Sequence, residues 1–100
     1  MNKAWKQMER DIAKKFGTER SGYEQSRKER VTSSDTFHPR LYIECKRRKR
    51  INLSSVWSKV TEGAKRERKI PLLVWKHPDM THSLLICRMR DVKKIAKELV

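Results

Sequence analysis

The sequence predicts an α/β domain in which helices flank a central mixed sheet, and three observations carry that reading. Apolar residues recur at helical spacing near the start and again over residues 53–69. Short apolar runs of strand length lie at residues 41–46, 71–76 and 83–87. The second helical stripe falls between the first two runs, which is the order of a β-α-β unit with a right-handed crossover. One hundred residues make a single domain, 1–100, with a core just large enough to fold alone.

The first helix is expected over residues 3–16, where Trp5, Met8, Ile12 and Phe16 recur at three and four and Gly17 ends the run. Glu9 projects into this stripe, between Ala13 and Phe16 on the wheel. A carboxylate aimed at a core costs free energy unless it is paired. Two readings stand: a flank position paired with Lys6 or Lys14, or an acidic group reaching a polar site. Residues 17–34 are basic and turn-rich, with one weakly marked strand around 29–32. Their Arg20, Arg27, Lys28 and Arg30 are candidate phosphate contacts or plain solvated loop charges.

Asp35 sits at a turn ahead of Leu41, Tyr42, Ile43, Glu44, Cys45 and Lys46. As a strand, 41–46 places Tyr42, Glu44 and Lys46 on one face and Leu41, Ile43 and Cys45 on the other. Neighbours on one face are about 7 Å apart, and Asp35, returning across a hairpin, faces them. Paired carboxylates supply the hard oxygens that Mg²⁺ takes, with waters and substrate phosphate completing its shell. A lysine beside such an ion orients water or offsets charge on a phosphate. An amphipathic edge strand with exposed charges is the plainer reading of the same residues. The block Arg47, Arg48, Lys49 and Arg50 leaves this strand directly and suits backbone-positioning contacts to nucleic acid.

Asn52 or Ser54 caps the second helix, 53–69, whose stripe is Leu53, Val56, Trp57, Val60 and Ala64. Strands over 71–76 and 83–87 form a hairpin through a turn at Pro78, Asp79 and Met80. Their near-continuous apolar runs predict burial on both faces. Asp91 caps a short final helix carrying Val92, Ile95, Ala96 and Leu99. His38, His77 and His82 read as surface residues, with His38 near enough to Asp35 to bear on it.

Composition bounds the partners. Twenty-six lysines and arginines against 12 acids leave a net charge of +14, the balance of a nucleic-acid binder whose contacts release counterions from phosphates. No apolar run approaches the roughly 18 residues of a membrane span, and no apolar leader opens the chain. Cys45 and Cys87, both in expected strands, read as free thiols in a reducing cytosol. Neither a Cys-X-X-Cys pair nor a His pair at ligand spacing suggests zinc.

The Asp35…Glu44-Cys45-Lys46 pattern, with Ser34 before the aspartate and Ile43 before the glutamate, resembles the active-site motif of the PD-(D/E)XK nuclease superfamily. It is most similar to archaeal-type Holliday junction resolvases and their phage relatives. The order of elements over residues 3–87 agrees with that family's αβββαβ restriction-endonuclease-like core. The resemblance implies a Mg²⁺-dependent endodeoxyribonuclease, with Mn²⁺ substituting, that acts on four-way or other branched DNA. Asp35, Glu44 and the Cys45 carbonyl would hold the metal, Lys46 would serve the attacking water, and Glu9, in a Glu9-Arg10 pair, would assist. It favours Arg20 among the loop cations. Relatives place a Gln-Ala pair on the second helix, where this chain has Glu62, Gly63 and Ala64, which leaves that role open. It further implies a homodimer, expected to use Trp75, Leu85 and the Ile95/Leu99 face, working inside a cell, a phage-infected host included. A nuclease or nickase on plain duplex, and a non-catalytic basic nucleic-acid-binding module, remain the alternative functions.

Overall fold

The computed structural model of the protein describes residues 3–22 and 32–100. Helix α1 spans Ala4–Lys15, strand β1 Leu41–Arg47, helix α2 Leu53–Glu67, strand β2 Ile70–Lys76 and strand β3 Leu84–Ile86. A 3-10 turn, Met89–Asp91, leads into helix α3, Val92–Lys97. The sheet order is β1-β2-β3. β1 and β2 are parallel, in register from Leu41 opposite Ile70 to Arg47 opposite Lys76. β3 returns antiparallel, with Val74 opposite Leu85. No helix among the described residues is long and apolar enough to cross a membrane.

Strand alternation sorts the core into two layers. Leu41, Ile43, Cys45, Leu72 and Val74 pack under Met8, Ile12 and Phe16 of the α1 segment and Ile95 of α3. On the opposite face Tyr42 packs against Val60 and Ala64 of α2. Leu41, Ile43 and Leu72 are wholly buried, each contributing about 1.5–3 kcal/mol through burial. Trp5 departs from the expected stripe: it is 44% exposed, so burial along α1 begins at Met8.

Of the two candidate caps for α2, Asn52 serves, its Oδ1 accepting from Ser55 N–H at 3.0 Å. The helix ends two residues short of the expected 69, because Arg68 turns left-handed at φ +56°. Gly63 lies where α2 meets β1. A Cβ there would lie 2.4 Å from the Tyr42 ring and hydroxyl, so with any larger residue Tyr42 or α2 must shift.

Several expectations change. The weak strand around 29–32 falls largely outside the described residues, and Thr32 itself is irregular, its hydroxyl donating to Glu67 Oε1 at 2.5 Å. The Asp35 hairpin is not a regular strand either. Ser34 Oγ donates to Ile43 C=O at 3.0 Å and accepts from Ile43 N–H at 2.9 Å. A side chain thus takes ladder positions that backbone would otherwise fill. Thr36 forms an isolated bridge with Arg20 on its other side. The described sheet therefore has three strands.

Burial on both faces holds for β2 and fails for β3. It is a three-residue edge strand, with Leu84 and Leu85 each 47% exposed. His38 is buried, not superficial. Its Nδ1 accepts from the N–H groups of Arg40 and Leu41, each at 3.0 Å, and Nε2 faces Glu98 at 4.0 Å. Burial lowers its pKa, so the imidazole builds the turn into β1 as a neutral acceptor. His77 Nδ1 accepts similarly from Asp79 N–H at 3.0 Å, and only His82 is an exposed surface histidine. Asp91 stands at the N-cap position without a side-chain capping bond. Ile95 is core, leaving Leu85 and Leu99 as the exposed members of the face expected to pair. Trp75 is partly buried, its Nε1 donating to Arg48 C=O at 3.0 Å.

Two substitutions probe α2. Gly63→Ala should lower the urea midpoint, because overpacking costs about 1–3 kcal/mol against the roughly 1 kcal/mol that alanine gains over glycine in a helix. A raised midpoint would show that Tyr42 yields freely. Arg68→Gly should raise the midpoint, since left-handed backbone costs a non-glycine residue about 1–2 kcal/mol. An unchanged or lower midpoint would mean that the Arg68 side chain offsets its own strain.

Candidate active site

Three elements bring Asp35, Glu44, Lys46 and Glu9 together. The free edge of β1 receives Asp35: its N–H donates to Ile43 C=O at 2.9 Å, and Oδ2 accepts from Cys45 N–H at 2.7 Å. On the other side Asp35 C=O accepts from Ser21 N–H at 2.9 Å. One strand step away, Glu44 Oε1 lies 2.9 Å from Lys46 Nζ, both side chains only about one-fifth exposed. N–H and C=O of one strand residue leave on the same edge. The Cys45 carbonyl therefore faces Asp35 rather than β2.

Glu9 is buried on α1, and its partner is neither Lys6 nor Lys14. Arg20 Nε donates to Glu9 Oε1 at 2.6 Å, while the Arg20 guanidinium carbon and Lys6 Nζ lie 5.4 and 5.3 Å from the centre of the Trp5 ring. Cations covering that ring account for a tryptophan left on the surface. Arg20, expected to contact phosphate, is thus engaged by the site's own acid.

Charge ties the group together. Burial, then the Glu44 and Glu9 carboxylates, push the Asp35 carboxyl from an ordinary 3.8 up to about 8, against the pull of the Cys45 N–H and Lys46. Burial also raises Glu9, and Glu44 adds to it, while Arg20 opposes. The Cys45 thiol is raised by burial and by the same carboxylates, which keeps it protonated and inert. Three acids gathered inside a +14 chain make this cluster the candidate site.

The donor set fits a hard divalent cation. Asp35, Glu44 and the Cys45 carbonyl offer oxygen alone, and positive charge there would relieve the repulsion that raises Asp35. Among the described residues, no three His, Cys, Asp or Glu side chains form a ready-made metal cage. Two carboxylates with waters and substrate oxygens is the arrangement Mg²⁺ accepts.

A cleft of about 380 Å³ opens beside the pair, between β1 and α2, with Tyr42, Glu44, Lys46 and Arg48 on one wall. The basic block divides at this point. Arg48 lines the cleft, whereas Arg47 lines a separate groove of about 620 Å³ between α1 and β3. Lys49 and Arg50 are exposed on the connection to α2. Arg27, Lys28 and Arg30 lie outside the described residues. Glu62 reaches the cleft too, but it is largely exposed and paired loosely with Arg66 at 3.7 Å.

Two supporting residues carry no motif. Ser34 locks the Asp35 segment to Ile43; its place directly before Asp35 was the only signal. Glu67 holds the same segment from α2, accepting from Thr32 Oγ1 and from Ser33 N–H at 2.9 Å, with Lys69 at 3.2 Å. Ser33 Oγ in turn bonds Tyr42 Oη at 2.8 Å. Comparison of the chain with protein-family models, curated proteins and solved structures returns no match.

The raised Asp35 carboxyl makes stability depend on pH in a defined direction. Between about 4 and about 8 the folded chain keeps a proton that the unfolded chain loses, so stability falls as pH rises through that window. In metal-free buffer, Asp35→Asn should flatten the fall and raise the melting temperature at pH 8.5 on the order of 5 °C. Identical pH profiles for both proteins would show that Asp35 titrates normally.

Proposed function

We propose that the protein is a Mg²⁺-dependent endonuclease that hydrolyses phosphodiester bonds in branched DNA, in the manner of a Holliday junction resolvase, with Mn²⁺ able to substitute. The observation that carries this reading is the convergence of Asp35, fixed by the Cys45 N–H at 2.7 Å, with Glu9 and with the Glu44–Lys46 pair at 2.9 Å; the raised Asp35 carboxyl agrees with it. The resemblance to the PD-(D/E)XK superfamily supports it, since Asp35, Glu44 and Lys46 are all intact. In this reading the three-layer core is a restriction-endonuclease-like core whose outer strands are reduced to the irregular segments at 19–21 and 34–37 against β1.

Asp35, Glu44 and the Cys45 carbonyl would hold Mg²⁺, which when bound would supply positive charge beside the phosphate and make water more acidic. Lys46 keeps its ammonium 2.9 Å from Glu44, where it orients the attacking water and offsets charge building on the phosphate. Hydrolysis joins the water oxygen to phosphorus as one ester P–O bond breaks, and the water's proton ends on the leaving alkoxide. Glu9, held by the Arg20 guanidinium at 2.6 Å, closes the α1 side of the site. Resolving a four-way junction takes two symmetric nicks, so the working form is a twofold homodimer. The exposed Leu84 and Leu85, beside the α1–β3 groove, offer apolar surface for the second copy.

Cleavage of four-way junction, flap and linear duplex, each with Mg²⁺ or EDTA, tests the reading. Symmetric junction nicks that stop in EDTA are expected. Equal cutting of linear duplex would make the protein a plain duplex nuclease, and tight binding without cleavage would make it a binder. Asp35→Asn and Glu44→Gln should each reduce cleavage at least 100-fold while DNA affinity holds or rises, because repulsion of phosphate is removed. Lys46→Ala should lose cleavage with Mn²⁺ binding by calorimetry retained. Loss of metal binding instead would reassign Lys46. Light scattering should give twice the chain mass.

A further inference from the structure

The cleft beside Glu44 and Lys46 has a second wall that no motif announces. Lys59 and Arg66 reach it from α2, opposite Arg48 at the exit of β1. These cations are not equivalent. Lys46 is matched by Glu44 at 2.9 Å and Arg66 by Glu62 at 3.7 Å. Among the described residues, Arg48 and Lys59 have no carboxylate within 4.0 Å.

Arg48 is also held in place rather than left on a loose connection. Its N–H donates to Lys76 C=O at 3.2 Å, and its C=O accepts from Trp75 Nε1 at 3.0 Å. Both backbone groups are therefore fixed to β2. Lys59 stands on a regular helix that Gly63 lets down onto Tyr42. Two cations without a carboxylate partner among the described residues thus line one cleft, from the exit of β1 and from α2, with Glu44 in the same cleft.

We propose that Lys59 and Arg48 form a binding subsite for a backbone phosphate of the strand being cut, next to the scissile phosphate. This rests on the nuclease reading above and extends it to a second nucleotide. The ligand class follows from the mixed charge. Glu44 in the same cleft disfavours a small free anion, whereas a polymeric phosphodiester is anchored by its neighbours and pays no separate cost for entry. Arg48 follows directly after β1, two residues beyond Lys46 in the same cleft, so the two cations are set to meet successive groups along one strand. Arg47, in the other groove, takes no part. This replaces the expectation that the whole basic block acts alike.

The test uses fluorescein-labelled junction and duplex DNA with the Asp35→Asn protein in EDTA, where binding is read without cleavage. Lys59→Ala and Arg48→Ala should each weaken binding about 5–10-fold at 0.1 M KCl and lower the slope of log K against log salt by about one unit. The double variant should lose less than the product of the two, because both residues hold one phosphate. Lys59→Arg should restore the slope. In the active protein, the Lys59→Ala loss should fall on KM. Lys65→Ala, on the other flank of α2, is the comparison for diffuse charge. Unchanged affinity, multiplicative losses, or an equal loss in Lys65→Ala would overturn the subsite. Wild-type protein that binds with this pattern but never cuts with Mg²⁺ would sink the nuclease reading and leave the phosphate subsite standing.

Discussion

The site depends on how the outer edge of β1 is satisfied. A strand edge presents N–H and C=O groups that must find partners, and here the partners are mostly side chains. Ser34 Oγ takes both the N–H and the C=O of Ile43, and Asp35 Oδ2 takes the N–H of Cys45. Had a regular backbone ladder closed this edge, those N–H groups would meet carbonyls and Asp35 would be free to face solvent. Because the carboxylate itself closes the edge, it is held one residue from Glu44 and out of water. The same bonds that complete the sheet therefore build the acidic cluster.

That position is electrostatically unfavourable, and the surroundings offset it only in part. Desolvation acts most strongly on Asp35, followed by Glu44 and Glu9, against one backbone N–H and one lysine. Glu9 has the Arg20 guanidinium and Glu44 the Lys46 ammonium, which leaves Asp35 with the Cys45 N–H. Excess positive charge elsewhere does little for them, because exposed cations are screened over about 8–10 Å. The remaining demand is local. Asp35 meets it by keeping its proton up to about pH 8.

α2 is the second support. Gly63 allows close approach to Tyr42, Tyr42 bonds Ser33, and Glu67 grips Thr32 and Ser33. The segment carrying Asp35 is thereby clamped between β1 and the end of α2. The helix that covers the sheet also forms one wall of the cleft. Core packing and cleft shape are set by the same contact, so a change at Gly63 is felt at both.

Local periodicity by itself determined the main elements: the stripe of α2, the parallel β1-α2-β2 unit and the alternation that puts Glu44 and Lys46 on one face. These follow from 3.6- and 2-residue repeats within single elements, so neighbours in sequence settle them. Glu9 and Glu44 were legible from their places in a helix and a strand, and Asp35 from its turn ahead of the Glu44-Cys45-Lys46 pattern. What tertiary structure alone decided lies between elements. Arg20 rather than Lys6 or Lys14 meets Glu9 because residues 19–21 fold back along Thr36. His38 is buried because the C-terminal Glu98 closes over that turn, pairing with Arg40 as well. Arg47, the last residue of β1, and Arg48, the first beyond it, line different grooves, and only the packed helices say what each groove meets. β3 has the apolar run of a buried strand, yet it lies at an edge. Burial depends on which strands and helices arrive alongside, and no repeat within those few residues encodes that.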